Sequence, residues 1–345
     1  MPSFGQVFMV GLPGPGVDPV ARELVQDLGV GGVILFARNL EDPLQVWELT
    51  SELQRLSRER WGRPLLIALD QEGGPVQRLK APFTRIPSAR RLATEAQPPQ
   101  VEALFQRVAR ELALVGVNLN LAPVMDVARG PQCPLWERSF GPDPEKVAAY
   151  GTAAIRGMLA GGVLPVAKHF PGLGDTRRDS HLVLPSAESE DPDRRVDLTP
   201  FAAAVSAGVP VIMTAHVRVP AWEDRPATLS PTALQGWLRE RLGFPGVIMT
   251  DDLEMGAIRE QTEVAPAAVA AFAAGADLLL ICENAAWAWE AARLMQREEG
   301  VQPRLAEAAA RLARLWTRLP PTPADRAEVA EYFRRAALTP ADGRG

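Results

Sequence analysis

The chain has 345 residues, 47% of them hydrophobic, which leaves room for one large core or two smaller ones. A formal charge of -5 and a pI near 5.5 exclude the basic surface that nucleic acid or an anionic membrane selects, so neither is expected as a partner. Cys133 and Cys282 stand far apart and form neither a disulfide framework nor a metal-ligand pair, which fits free thiols in a reducing compartment.

Residues 1–12 lack the basic start and small-residue cleavage site of a secretion signal. No apolar run reaches the roughly 18 residues needed to span a bilayer, so a soluble, cytoplasmic protein is expected, acting as a monomer. Apolar or β-branched runs recur at 6–12, 31–36, 65–70, 117–127, 163–169, 210–216, 247–252 and 277–282. Between them, helical periodicity predicts helices over 20–28, 44–60, 101–114, 144–160, 200–207, 231–242, 265–274 and 285–297. Thr199-Pro200 and Ser230-Pro231 offer a capping hydroxyl followed by a proline suited to a first turn. Gly29, Gly116, Gly208 and Gly243 stand where a helix must stop before the next strand. Eight such units predict an α/β fold, a (β/α)8 TIM-type barrel over residues 1–300, and no glycine-rich dinucleotide fingerprint supports an open sheet instead. Helices over 303–319 and 325–337, separated by a proline-rich break, predict a C-terminal helical appendage (301–345) packed on the same domain.

A barrel gathers its chemistry at the carboxyl ends of the strands. Here the apolar runs close on Asp70-Gln71-Glu72-Gly73-Gly74, Asp126, Lys168-His169, Thr214-Ala215-His216 and Thr250-Asp251-Asp252, whereas strands one, two and eight end without ionisable groups. The densest stretch runs from Ala167 to His181 and holds Lys168, His169, Asp175, Asp179 and His181. Lys168 is one of only three lysines, with Lys80 and Lys146, among 37 basic residues, which points to a task for a compact ammonium that a flat guanidinium cannot perform.

With three histidines and no His-x-His pair, a metal site is not expected, and no cofactor motif is present. Glu283-Asn284 after the eighth run would repel a phosphate. A neutral polyol fits better, because carboxylates, lysine and arginine bind sugar hydroxyls as a network. Glycoside cleavage needs a proton donor for the leaving oxygen and, in retaining enzymes, an attacking carboxylate. Asp251 could attack, and His181, oriented by Asp179 two residues away in an extended loop, could deliver the proton.

Lys168-His169-Phe170-Pro171-Gly172, Gly174-Asp175-Thr176 and Asp179-Ser180-His181, with Asp70-Gln71-Glu72-Gly73-Gly74, Arg138-Ser139-Phe140-Gly141 and Thr250-Asp251-Asp252-Leu253-Glu254-Met255, closely resemble the β-N-acetylhexosaminidases of glycoside hydrolase family 3. The resemblance spans roughly residues 5–285 in order. It implies a retaining exo-β-N-acetylglucosaminidase acting through a covalent glycosyl-enzyme on Asp251, with Asp179 and His181 as the acid/base dyad. Asp70, Arg78, Arg138, Lys168 and His169 would bind the terminal N-acetylglucosamine. The implied substrate is a small carbohydrate, a peptidoglycan fragment (muropeptide) met in cell-wall recycling or a chitooligosaccharide, with no metal or cofactor. Asp252 is either a neighbour that orients the nucleophile or a loop anchor, and His216 either backs the nucleophile or is a satisfied strand-end histidine. A phosphorylase of the same family is an alternative, since a histidine acid/base spares an incoming phosphate the repulsion of a carboxylate. A silent sugar-binding barrel is another. Two features depart from the family pattern: Leu173 stands where a histidine is usual, and the 130–136 stretch before Arg138 is unusual, with Trp136 expected to fill a surface groove.

Overall fold

The computed structural model describes residues 3–176, 178, 180, 182–187, 191, 193–320 and 324–338. Eight short strands run parallel: β1 (Phe8–Gly11), β2 (Gly32–Ile34), β3 (Leu66–Leu69), β4 (Leu119–Asn120), β5 (Leu164–Phe170), β6 (Val211–Thr214), β7 (Val247–Met249) and β8 (Leu279–Ile281). Their hydrogen-bonded order is β7-β6-β5-β4-β3-β2-β1-β8. A parallel bridge from Met249 to Leu278, with Thr250 N–H donating to Leu278 O at 2.9 Å, joins β7 to β8 and closes the ring. The strands are buried over nearly their whole length, because the barrel interior covers one face and the helices the other. The (β/α)8 barrel expected from eight repeated units is therefore the fold.

The helix signals worked where side chain and backbone agreed. Ser230 Oγ accepts from Ala233 N at 3.1 Å, and Gly29, Gly116, Gly208 and Gly243 all end helices with positive φ. Thr199-Pro200 does not start a helix. The helix begins earlier, at Arg195–Ser206, because Asp191 Oδ2 caps Arg195 N at 3.0 Å, and Thr199 Oγ1 instead bonds back to Arg195 O. The fourth run, expected over 117–127, is a regular strand only at Leu119–Asn120. Pro123 has no N–H to give a ladder. Two asparagine side chains add to the backbone pairing with the β3 segment: Asn118 bonds Ile67 N and Leu65 O, and Asn120 bonds Gln71 N and Gln71 O, at 2.8 to 3.1 Å.

Past the carboxyl ends lie two small antiparallel hairpins, Gln71–Gly73 with Val76–Gln77 and Arg218–Val219 with Glu223–Pro226. The first turns on Gly73 and Gly74, with φ of 108° and 56°, where a side chain would be strained and would strike Ile86 or Ser88. That turn brings Arg78 back to Asp70.

At the opposite end, Asp277 is fully buried before β8 and accepts from Ile248 N, Arg239, Arg304 and Arg311 at 2.5 to 3.0 Å. Arg304 and Arg311 belong to the helix Gln302–Trp316, so one carboxylate ties that helix to the barrel. The cluster carries excess positive charge: burial, outweighing Asp277, pulls Arg239 down to about 10. Asp277→Asn leaves buried guanidiniums without their counter-ion and is expected to cost on the order of 3 kcal/mol. Scanning calorimetry should show the melting temperature falling by several degrees, and a shift below about one degree would contradict this account.

Candidate active site

The strand ends and their loops enclose a cavity of about 350 Å³ at the mouth of the barrel. Ile34, Leu121, Met213 and Leu280 form part of its lining and belong to the buried core or its edge, so the cavity is backed by the packed barrel. Asp70, Arg78, Arg138, Lys168, His169 and Asp251 all line it. Asp179 and His181 lie outside the described residues. Their neighbours Arg178 and Ser180 line the cavity, and Ser180 O accepts from Ala257 N at 3.2 Å.

Lys168 lies in β5, two residues before its end, with its side chain only 3% exposed. Its ammonium lies 2.7 Å from Asp70 Oδ1 and 2.6 Å from Glu72 Oε1, so two of three N–H bonds go to carboxylates and one remains for a ligand. Glu72 also takes a bidentate pair from Arg138, Nε and Nη2, at 2.9 and 2.8 Å. Arg78 Nη2 reaches the other oxygen of Asp70 at 3.2 Å. Two carboxylates thus hold three cations. Burial acts to raise Glu72, but Lys168 and Arg138 outweigh it and bring the carboxyl down to about 2. Asp70 is likewise lowered: burial opposes, and the Lys168 charge prevails. Lys168 and Arg138, which burial alone would lower, are raised by the same carboxylates.

Next to Lys168, across a cis peptide, His169 is oriented by fully buried Asp126. Asp126 Oδ2 accepts from His169 N and ring Nδ1 at 3.0 and 2.8 Å, and Oδ1 from Leu173 N at 2.6 Å. With Nδ1 committed, Nε2 is the ring nitrogen turned to other partners.

Asp251 follows β7, and its Oδ1 accepts from Asp252 N at 2.9 Å. Burial would raise its pKa, yet His169, His216 and Lys168 hold it below the usual carboxylate value. Asp252 goes the other way. Burial, with Glu254 and Asp251 nearby, pushes it up to about 7, while its Oδ1 accepts from Glu254 N and Cys282 N at 3.1 and 3.2 Å. Of its two expected places, the contacts describe a loop anchor. Two adjacent carboxyls are thereby shifted in opposite directions, the kind of separation acid/base and nucleophilic chemistry uses.

The family model for the glycosyl hydrolase family 3 N-terminal domain matches residues 4–315. The chain belongs to glycoside hydrolase family 3. It is 38% identical over 301 residues to a β-hexosaminidase of Pseudomonas aeruginosa, covering 86% of this chain and 88% of that one. A β-hexosaminidase of Methylococcus capsulatus is 40% identical over 281 residues, covering 80% and 82%. A solved family 3 β-N-acetylglucosaminidase from a Paenibacillus species superposes with a TM-score of 0.87 at 36% identity, covering 97% of this chain and 68% of that one. The protein is a glycoside hydrolase of β-hexosaminidase type, and a small carbohydrate is its substrate class.

Two residues of this family 3 site were not singled out from sequence as binding or catalytic: Glu72, which joins Lys168 to Arg138, and Asp126, which orients His169. The signal for Glu72 was its place two residues beyond Asp70, on the same side of an extended chain. Asp126 closes an apolar run but shows no partner in sequence. Strands two and eight also contribute past their ends: Arg38 and Glu283 pair at 2.8 Å, and Glu283 lines the cavity. The two departures from the family pattern meet. Leu173 is buried and lines the cavity with Pro134 and Leu135, and Cys133 Sγ lies 3.8 Å from Leu173 O. Trp136 is half-buried under the Arg90 guanidinium, 4.2 Å from its ring centre.

Glu72→Gln removes the charge shared by Lys168 and Arg138. KM for an aryl N-acetyl-β-glucosaminide should rise about 10- to 100-fold, the loss expected when a buried ion pair is broken. Since Glu72 falls from an ordinary value of 4.5 to about 2, its contribution to stability is complete above about pH 4.5 and is lost as pH drops towards 2. Acid unfolding of the wild type should show this loss and the variant should lack it. An unchanged KM would show that Glu72 takes no part in binding that substrate.

Proposed function

We propose that this chain is a retaining exo-β-N-acetylglucosaminidase that releases terminal β-linked N-acetylglucosamine from peptidoglycan fragments in the cytoplasm. The observation that carries the reading is the contrast at the end of β7: Asp251 is held ionised among His169, His216 and Lys168, whereas Asp252 beside it is pushed towards neutrality. In the first step an Asp251 oxygen attacks the anomeric carbon, and the bond to the leaving oxygen breaks as His181 gives it a proton. Asp179 orients and tunes that imidazole. In the second step His181 takes a proton from water, the water oxygen bonds to the anomeric carbon, and the Asp251 ester is released.

Asp70, Arg78, Arg138, Lys168 and His169 are assigned to the hydroxyls of the terminal sugar. Sugar hydroxyls both donate and accept, and this set offers carboxylate acceptors beside ammonium and guanidinium donors. The packed barrel behind the cavity suits a chain end, which supports exo action. Exposed Arg178 on the lining suits a carboxylate-bearing fragment better than a neutral chitooligosaccharide.

Asp251→Ala should lower kcat by roughly four orders of magnitude with the protein still folded, on the scale seen when a nucleophile is deleted. A fluorinated N-acetylglucosaminyl donor should label Asp251, as read by peptide mass spectrometry; a label on another residue moves the nucleophile. Mass spectrometry of products from defined muropeptides, with and without inorganic phosphate, should give free N-acetylglucosamine in both cases. A sugar phosphate would instead make the enzyme a phosphorylase, and faster turnover of chitooligosaccharides would overturn the substrate.

A further inference from the structure

His216 is fully buried just past β6, and the steps above assign it nothing. Its ring joins two loops of the site. Nε2 lies 2.8 Å from the backbone oxygen of Asp252, and a carbonyl oxygen only accepts, so Nε2 carries a proton. Nδ1 lies 2.8 Å from Thr228 Oγ1. That hydroxyl has one proton and further neighbours in Ala215 O at 3.0 Å and Thr214 Oγ1 at 2.8 Å. All of these groups are buried. One arrangement satisfies every one of them: Thr228 donates to the Ala215 carbonyl and accepts from both Thr214 and His216 Nδ1. Both ring nitrogens then donate, and the ring is an imidazolium. If Thr228 donates to Nδ1 instead, the Ala215 carbonyl loses this donor.

A buried cation needs an anion close by. Among the described residues, the charged and titratable groups around Asp251 include Asp252 beside it and Lys168 and His169 from β5, with Asp251 lowered in part by His216 itself. We propose that His216 is a positioning residue held as an imidazolium, tying the Asp252 carbonyl to β6 and supplying positive charge that keeps the Asp251 carboxylate ready to attack. It neither gives nor takes a proton during turnover. The proposal rests on Asp251 being the nucleophile.

His216→Gln keeps a donor but cannot hold the charge, and Thr228→Val, close in shape, removes the acceptor of Nδ1–H. Without the cation Asp251 becomes harder to ionise, so the acidic limb of kcat/KM should move up by about one pH unit in both variants, with KM within about twofold. A role in packing alone would lower kcat or the folded fraction and leave that limb in place. The chain has only three histidines, so 15N-histidine NMR of the full-length enzyme can resolve the ring. Two protonated nitrogens on His216 at pH 7 are expected in the wild type, and a neutral ring in Thr228→Val. A neutral wild-type ring, or an unmoved limb in both variants, overturns the proposal. Fluorosugar labelling separates the two readings: a label away from Asp251 sinks the nucleophile, whereas a label on Asp251 with an unmoved limb sinks only the role of His216.

Discussion

One buried ammonium is the point on which the candidate site depends. Lys168 sits between Asp70 from the end of β3 and Glu72 from the hairpin that follows, and Glu72 hands the connection on to Arg138. Any of these charges alone would be expensive to bury; together each cancels the desolvation of the next. The result is a rigid array of donors and acceptors spanning two strand ends, a hairpin and a long loop, set before a ligand arrives. The ammonium is a compact point donor where a guanidinium is planar and bulkier, which fits a lysine at this shared point in a chain that otherwise prefers arginine.

From this anchor the electrostatics spread to the neighbouring strand ends. Lys168, which steadies Asp70 and Glu72, also acts on Asp251, and His169, aligned by Asp126, adds to it. Asp252 is adjacent in sequence but points into a different environment, bound to backbone N–H groups and facing Glu254 and Asp251. Environment, not residue type, separates the two carboxyls. The same logic divides the cavity wall. The side built from Asp70, Arg78, Arg138 and Lys168 is ionic, and the side built from Pro134, Leu135 and Leu173 is apolar.

Much of this was legible in the sequence because its causes are local. Strand and helix periodicity, glycines at helix ends and the cap at Ser230 need only neighbouring residues, and eight repeats of one unit leave few ways to close a sheet. The errors came where a distant group intervened. Asp191 started a helix ahead of Thr199, and Asn118 and Asn120 added side-chain bonds to the β3 segment where the regular strand is only two residues long. Motif order likewise pointed to the residues that line the cavity, because a barrel delivers every strand end to the same mouth.

The sequence by itself determined the barrel and the list of polar residues at the strand ends, since each follows from spacing along the chain, and its motifs carried the resemblance to the family. Only the tertiary structure decided which charges share partners: that Glu72 rather than Asp70 alone holds Lys168, that Asp126 orients His169, that Asp252 is an anchor, and that His216 has hydrogen-bond partners at both nitrogens. Charge state and orientation depend on distances between groups tens of residues apart. Spacing along a chain carries no such distances until the strands have paired.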